Sequence, residues 1–339
     1  MADKPDGERT NPSSLASGLT LADEPGALRR RLTAGEFAIT AEIGPPRGAD
    51  LAPVSRKAAA LRGWVDAVNI TDNQGAAVRL SSLAGSLTAL AAGVEAVMQL
   101  TCRDRNRIAL QSELLSASAL GVRNVVIMTG DHPRHGDHSD ATPVFDLNSM
   151  QLLRVAAEMR DHGRLMSGGE LKPPPSWFLG AVENPPGCVA DGGSGPDGQD
   201  SFDRATYRLA SKIEAGAQFV QTQFVFDVPA FANWMTRIRE LGLHERCYIL
   251  AGVGPIRSHR ALAHLASIPG VVIPREVVDR LGAAAPEQFR AEGEKLCAEI
   301  IAGLAQVPGV AGVHVMAIGA ETSIPAILRQ AGLPPRRQR

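Results

Sequence analysis

The chain has 339 residues, with 35 Lys and Arg against 36 Asp and Glu and a formal net charge of −1, so it carries no electrostatic footprint for nucleic acid or an anionic membrane surface. Hydrophobic residues make up 44% and aromatics only 4%, which suits a core of Ala, Val, Leu and Ile and excludes a disordered or fibrous chain. No run of eighteen apolar residues occurs and residues 1–25 lack the basic-then-apolar order of a secretory signal, so a soluble, cytoplasmic protein is expected.

Residues 1–26 are rich in Gly, Pro and Ser and read as a flexible tail. From 27 to 332 one unit recurs: a short β-branched run, polar or glycine punctuation, then an Ala/Leu-rich amphipathic stretch, the pattern of parallel β/α units. Strands are expected at 37–43, 65–71, 96–101, 124–128, 178–182, 219–223, 248–253 and 313–318, with helices such as 107–120 and 229–241 between them. The interval between the last two strands has room for two helices, at 274–281 and 286–305. Residues 333–339 read as a frayed basic tail, and the glycine-rich loop at 191–199 has no assigned purpose. The fold expected is therefore α/β, a single (β/α)8 TIM barrel with an extra helix between the seventh and eighth strands. The competing doubly wound sheet would want a glycine fingerprint after its first strand, where GPPRG stands instead.

Side chains alternate across a strand, so Ala38, Thr40 and Glu42 share one face and Phe37, Ile39, Ala41 and Ile43 the other. The apolar face belongs against the helices, which leaves Glu42 inside the barrel near the C-terminal rim, where barrel active sites are built. The same reading brings Thr71, Gln99, Thr101, Asp131 and Gln223 to that rim. A carboxyl group in an apolar mouth can act as a proton donor; the structural alternative for Glu42 is a salt bridge with Arg47.

Three further features allow two readings each. His132, His135 and His138 recur every third residue beside Asp131 and Asp137, a metal-type pattern, yet they sit in a Gly/Pro loop better suited to covering a ligand. Lys212 reads as a cation favoured at a helix C-terminus, or as a phosphate partner. Cys102, Cys188, Cys247 and Cys297 are scattered without metal-type spacing and read as unreactive thiols.

Taken together, AEIGPPRG, VNITDNQGAAVRLSS, QLTCRDRN, VVIMTGDHP, VFDLNSMQLL, KIEAGAQFVQTQFVFD and ILAGVGPI make a chain that resembles the methylenetetrahydrofolate reductases from about residue 35 to 328, most of all their short, single-barrel bacterial form. The resemblance implies an oxidoreductase that reduces 5,10-methylenetetrahydrofolate to 5-methyltetrahydrofolate by hydride transfer from a reduced flavin, with NAD(P)H as donor. It implies Glu42 as general acid and Asp131 as a second catalytic residue that binds the pterin and tunes the flavin. Gln223 and Thr71 would bind substrate, and Thr71, Gln99, Thr129, Gly130, Asp131 and Lys212 would hold the cofactor, with no metal. FAD is the expected flavin. Val182 and Ser211 stand where the family carries an aromatic and an arginine, which admits FMN, or no flavin and direct hydride transfer from NADH. A different class of function is a folate- and flavin-binding subunit that takes electrons from an iron-sulfur or zinc-containing partner. Association of copies through the outer helices stays open.

Overall fold

The computed structural model describes residues 25–185, 201–268 and 270–336. Eight parallel strands close on themselves in chain order: β1 (Ala38–Ile43), β2 (Ala67–Ile70), β3 (Ala96–Thr101), β4 (Asn124–Met128), β5 (Phe178–Glu183), β6 (Phe219–Phe224), β7 (Tyr248–Val253) and β8 (Val310–Val315). Closure pairs β1 with β8, Thr40 lying opposite His314. The expected TIM barrel is thus present, with a helical segment in every β-to-β connection.

Alternation divides the apolar residues into two cores. Ile39, Ala41 and Ile43 of β1 join Val68, Ile70, Met98, Leu100 and the helix faces in the outer layer, while Ala38, Ala67, Val97, Val126, Phe178, Phe219 and Leu250 pack inside the barrel's lower end. That end is plugged by α1 (Ala27–Thr33), whose Leu28 and Leu32 are buried in the inner cluster. The first turn of α1 donates backbone N–H groups of Ala27 and Leu28 to the Glu95 carboxylate, which satisfies donors that a helix start leaves orphaned. Burial pushes the Glu95 carboxyl up, against hydrogen bonds from Asn124, Ala27 and Leu28 that hold it down. Gly180 of β5 is required by this packing, because a Cβ there would stand 2.4 Å from the Phe219 ring.

The outer helices are α2 (Ala52–Leu61), α3 (Ser82–Ala91), α4 (Arg107–Ala119), α5 (Ser149–His162), α6 (Ser201–Glu214), α7 (Val228–Glu240) and the short α8 (Leu243–Arg246). After β7 come α9 (His259–Ser267), α10 (Arg275–Gly282) and α11 (Phe289–Leu304), and after β8 comes α12 (Ile324–Gln330). The interval before β8 therefore holds three helices rather than two. The added one is α9, whose start is fixed by Ser258 accepting from Ala261 N at 3.1 Å.

Strand β8 begins three residues before the expected 313, since Gly312 lies within the ladder instead of ending it. A Cβ there would meet the Ala38 carbonyl at 2.3 Å, so only glycine allows this approach. At the C-terminal end, residues 333–336 are tied down rather than frayed: Leu333 packs on the core, Arg336 N donates to Gly63 O at 2.6 Å and its guanidinium to Phe37 O at 2.8 Å. The 191–199 loop and Cys188 lie outside the described residues. Cys102, Cys247 and Cys297 are buried, and burial pushes each thiol up to about 12, so they are held as inert thiols. Among the described residues no helix is long and apolar enough to cross a membrane.

Candidate active site

A cavity of about 540 Å³ opens at the C-terminal ends of the strands. Its lining includes Glu42, Thr71, Gln99, Thr101, Thr129, Gly130, Asp131, Lys212 and Gln223, so the barrel brings together the residues expected to serve as acid, substrate and cofactor contacts, while His132, His135 and His138 are not among the lining residues. The strand alternation explains why. Above the inner apolar layer comes a polar layer of Thr40, Asn69, Gln221 and His314, each no more than 3% exposed, and the next inward positions reach the mouth.

Glu42 lies low in this mouth, its side chain 12% exposed. Gln99 Nε2 donates to Glu42 Oε2 at 3.2 Å, and His314 Nε2 faces the same oxygen at 3.7 Å. The salt bridge with Arg47 does not form, because Arg47 pairs with Asp137 at 3.5 Å on the rim. Gly130 has φ +85, and a Cβ there would lie 2.9 Å from Thr101 Cβ; the turn that swings Asp131 over the mouth needs glycine on both counts. Thr71 donates to Gln74, Thr129 donates to Ser149 at 3.1 Å, and Asp131 is exposed at the mouth.

Lys212 has a partner of its own. Its ammonium donates to Glu183 Oε2 at 2.5 Å and to Val182 O at 2.7 Å, and Arg208 Nε meets Glu183 Oε1 at 2.9 Å. Glu183, its side chain 1% exposed, thus places one carboxylate between two cations. Burial pushes the Lys212 ammonium down while Glu183 holds it up.

The histidine loop is occupied with itself. His132 Nδ1 accepts from Arg134 N at 3.2 Å, and His135 Nε2 accepts from Arg134 Nε at 3.0 Å. Among the described residues no group of three or more His, Cys, Asp or Glu is arranged to hold a metal ion.

Several motif residues turn out to build the rim. Asp72 accepts from Thr101 N at 2.9 Å and from Arg105 at 2.8 and 3.1 Å, which locks the β2 loop to the β3 loop with a forked, charge-assisted pair. Asn106 caps α4, and Asn148 with Gln151 forms a capping box on α5. His314, Gln221 and Glu183 were not singled out from sequence. The signal available for His314 was a lone polar residue in phase with the inward face of an otherwise apolar strand.

A closed parallel barrel with a polar mouth at the strand C-termini defines a (β/α)8 barrel of the enzyme type. Residues 27–332 match the family model described as methylenetetrahydrofolate reductase, and the chain belongs to that family. A Pectobacterium carotovorum protein named 5,10-methylenetetrahydrofolate reductase is 23% identical over 245 residues, 71% of each chain. The probable methylenetetrahydrofolate reductase (NADPH) of Caenorhabditis elegans is 25% identical over 255 residues, 75% of this chain but 34% of that protein, so the chain spans about a third of that relative's length. Among solved structures, an uncharacterized Clostridium thermocellum protein that binds two copies of 5-methyl-5,6,7,8-tetrahydrofolic acid has the same fold, with a TM-score of 0.61 at 14% identity over 90% of this chain and 98% of that one.

Proposed function

We propose that the protein reduces 5,10-methylenetetrahydrofolate to 5-methyltetrahydrofolate at the mouth of the barrel, with a reduced nicotinamide as the ultimate hydride donor. The observation that carries this reading is Glu42: a carboxyl group low in a 540 Å³ cavity, with one oxygen held by Gln99. A cavity of this size lies in the range that encloses a small ligand. Glu42 protonates the bridging nitrogen of the substrate, the carbon–nitrogen bond opens, and the carbon left electron-poor accepts the hydride. Asp131, exposed at the mouth, offsets the positive charge that develops on the pterin, and the Gln223 amide binds its hydrogen-bonding edge.

A flavin ring fits the same mouth, where Thr71, Gln99, Thr129, Gly130 and Asp131 line the wall. The sign of fit is the donor set, since the Gln99 amide and the Thr71 and Thr129 hydroxyls at this wall can hydrogen-bond the polar edge of a planar ring. When bound, a reduced flavin supplies the hydride. The phosphate end fits less well, because Lys212 and Arg208 are already engaged by Glu183. This favours a flavin held mainly by its ring, or direct use of NADH, over a flavin anchored tightly by its phosphate.

Glu42→Gln tests the reading. Loss of a positioned general acid is expected to lower folate turnover on the order of a hundredfold or more, with 5-methyltetrahydrofolate binding retained in an equilibrium titration. Unchanged turnover would remove Glu42 from the chemistry.

A further inference from the structure

Beneath Glu42 runs a buried network that the reaction as proposed does not use. Asn69 and Gln221 pair amide to amide, with Asn69 Nδ2 donating to Gln221 Oε1 at 2.6 Å and Gln221 Nε2 donating to Asn69 Oδ1 at 3.0 Å. Gln221 Nε2 also reaches Thr40 Oγ1 at 3.1 Å and faces His314 Nδ1 at 3.4 Å. An amide nitrogen can only donate. Thr40 accepts from Gln221, and of the two acceptors its own proton can reach, Val313 O at 3.5 Å and His314 Nδ1 at 2.9 Å, the nearer is His314. The two hydrogens of the Gln221 amide are taken by Asn69 and Thr40; with the Thr40 hydroxyl donating to it, Nδ1 is the bare nitrogen and a neutral ring carries its proton on Nε2, the nitrogen that faces Glu42 Oε2.

Oε2 thus accepts a hydrogen bond from Gln99 at 3.2 Å and has His314 Nε2 facing it at 3.7 Å, while Oε1 accepts no hydrogen bond from the described residues. A protonated carboxyl group places its hydrogen on the oxygen that is not already receiving one. The two donors differ in one respect: the Gln99 amide can turn over and accept, whereas His314, its Nδ1 occupied, cannot.

Resting on the reading of Glu42 as the acid, we propose that His314 is a positioning residue that confines the transferable proton of Glu42 to Oε1. The neutral imidazole donates to Oε2, Thr40 and Gln221 fix its tautomer, and the proton that leaves Glu42 does so from the oxygen with no protein donor. The 3.7 Å separation shortens to a hydrogen bond once substrate fills the mouth, as catalytic contacts commonly do.

The test uses steady-state and single-turnover reduction of methylenetetrahydrofolate by the full chain with FMN and NADH, alongside 5-methyltetrahydrofolate binding. His314→Asn keeps a polar group near the Nδ1 position but does not reach Glu42, and is expected to lower kcat on the order of tenfold to a hundredfold while KM stays within about threefold. His314→Gln, whose amide can donate near the Nε2 position, is expected to recover part of that loss. Thr40→Val, which releases the tautomer, should fall in the same direction and Thr40→Ser should not. If His314→Asn fails to fold by circular dichroism, the Thr40 pair decides. Wild-type kcat in His314→Asn with Glu42→Gln inactive overturns the role of His314 and leaves the function standing. Equal losses in His314→Asn and His314→Gln reduce His314 to packing. No folate reduction by the wild type overturns both.

Discussion

Glu183 sets how much charge the mouth offers to an anion. Lys212 and Arg208 bring two positive charges and Glu183 one negative charge, 2.5 Å from the ammonium, so a phosphate entering there must compete with a carboxylate that is already desolvated and tethered. Glu183→Gln is therefore expected to raise the affinity for FMN relative to riboflavin by roughly tenfold, the equivalent of about 1.4 kcal/mol, and to lower the denaturation midpoint in the absence of ligand, because it leaves two cations without their anion. Fluorescence titration of both flavins checks it; an unchanged FMN-to-riboflavin ratio would show that the pair lies outside the binding path. Lys212 was legible from sequence as a helix-end cation or phosphate partner, but its partner was not, since Glu183 ends an otherwise apolar strand and meets Lys212 only through the turn of a helix 29 residues later. His314 was hidden in the same way: its inward phase is readable, whereas its neighbours Thr40 and Gln221 lie 274 and 93 residues away and become neighbours only when β8 closes on β1.

Among the elements, the motif residues divide into a few that face the cavity and many that hold loops to one another. The DRNR and FDLN segments meet where Arg107 at the start of α4 clamps Asp146 through Nε and a terminal nitrogen at 2.8 and 2.7 Å, next to the Asn148 cap of α5. The Arg107 hydrogen bonds hold the Asp146 carboxyl down to about 2. Its folded value is below its unfolded one, so the clamp contributes fully above the ordinary value of 3.8 and is lost as pH falls through about 2. A carbon-detected NMR titration should find the Asp146 midpoint near 2, and a midpoint near 4 would mean the clamp is absent in solution. Asn148→Ala should cost about 1 kcal/mol of stability, read by urea denaturation. Strand positions were legible because short apolar, β-branched runs such as NVVIM in β4 are bounded by polar or glycine punctuation, and in β1 the residues also alternate with period two. Helix α9 was missed because HRALAHLAS interleaves histidines with its leucines and offers only two turns of pattern.

At the scale of the molecule, the barrel is built as a stack: the α1 plug, an apolar layer, the layer of Thr40, Asn69, Gln221 and His314, and then the mouth. The plug was not foreseen, because 27–33 reads as seven residues with three arginines and only two leucines; what makes it an element is the open end of a barrel whose lower inward positions are apolar. Leu28 is fully buried in the inner cluster and is not among the residues that line the mouth. Leu28→Ala leaves a hole in a closed layer that cannot collapse, since the strands around it are fixed by eight mutual pairings, so a loss of about 2–5 kcal/mol is expected. The layers between keep the Thr40–His314 link in place, 2.9 Å long in the intact protein, so kcat and folate KM should stay at wild-type values at temperatures where the variant is folded. Denaturation midpoints and turnover measured on the same preparation separate the two. A midpoint drop with unchanged kcat means the lower layer is scaffold alone, and a parallel fall in kcat means that the plug sets the height at which His314 meets Glu42.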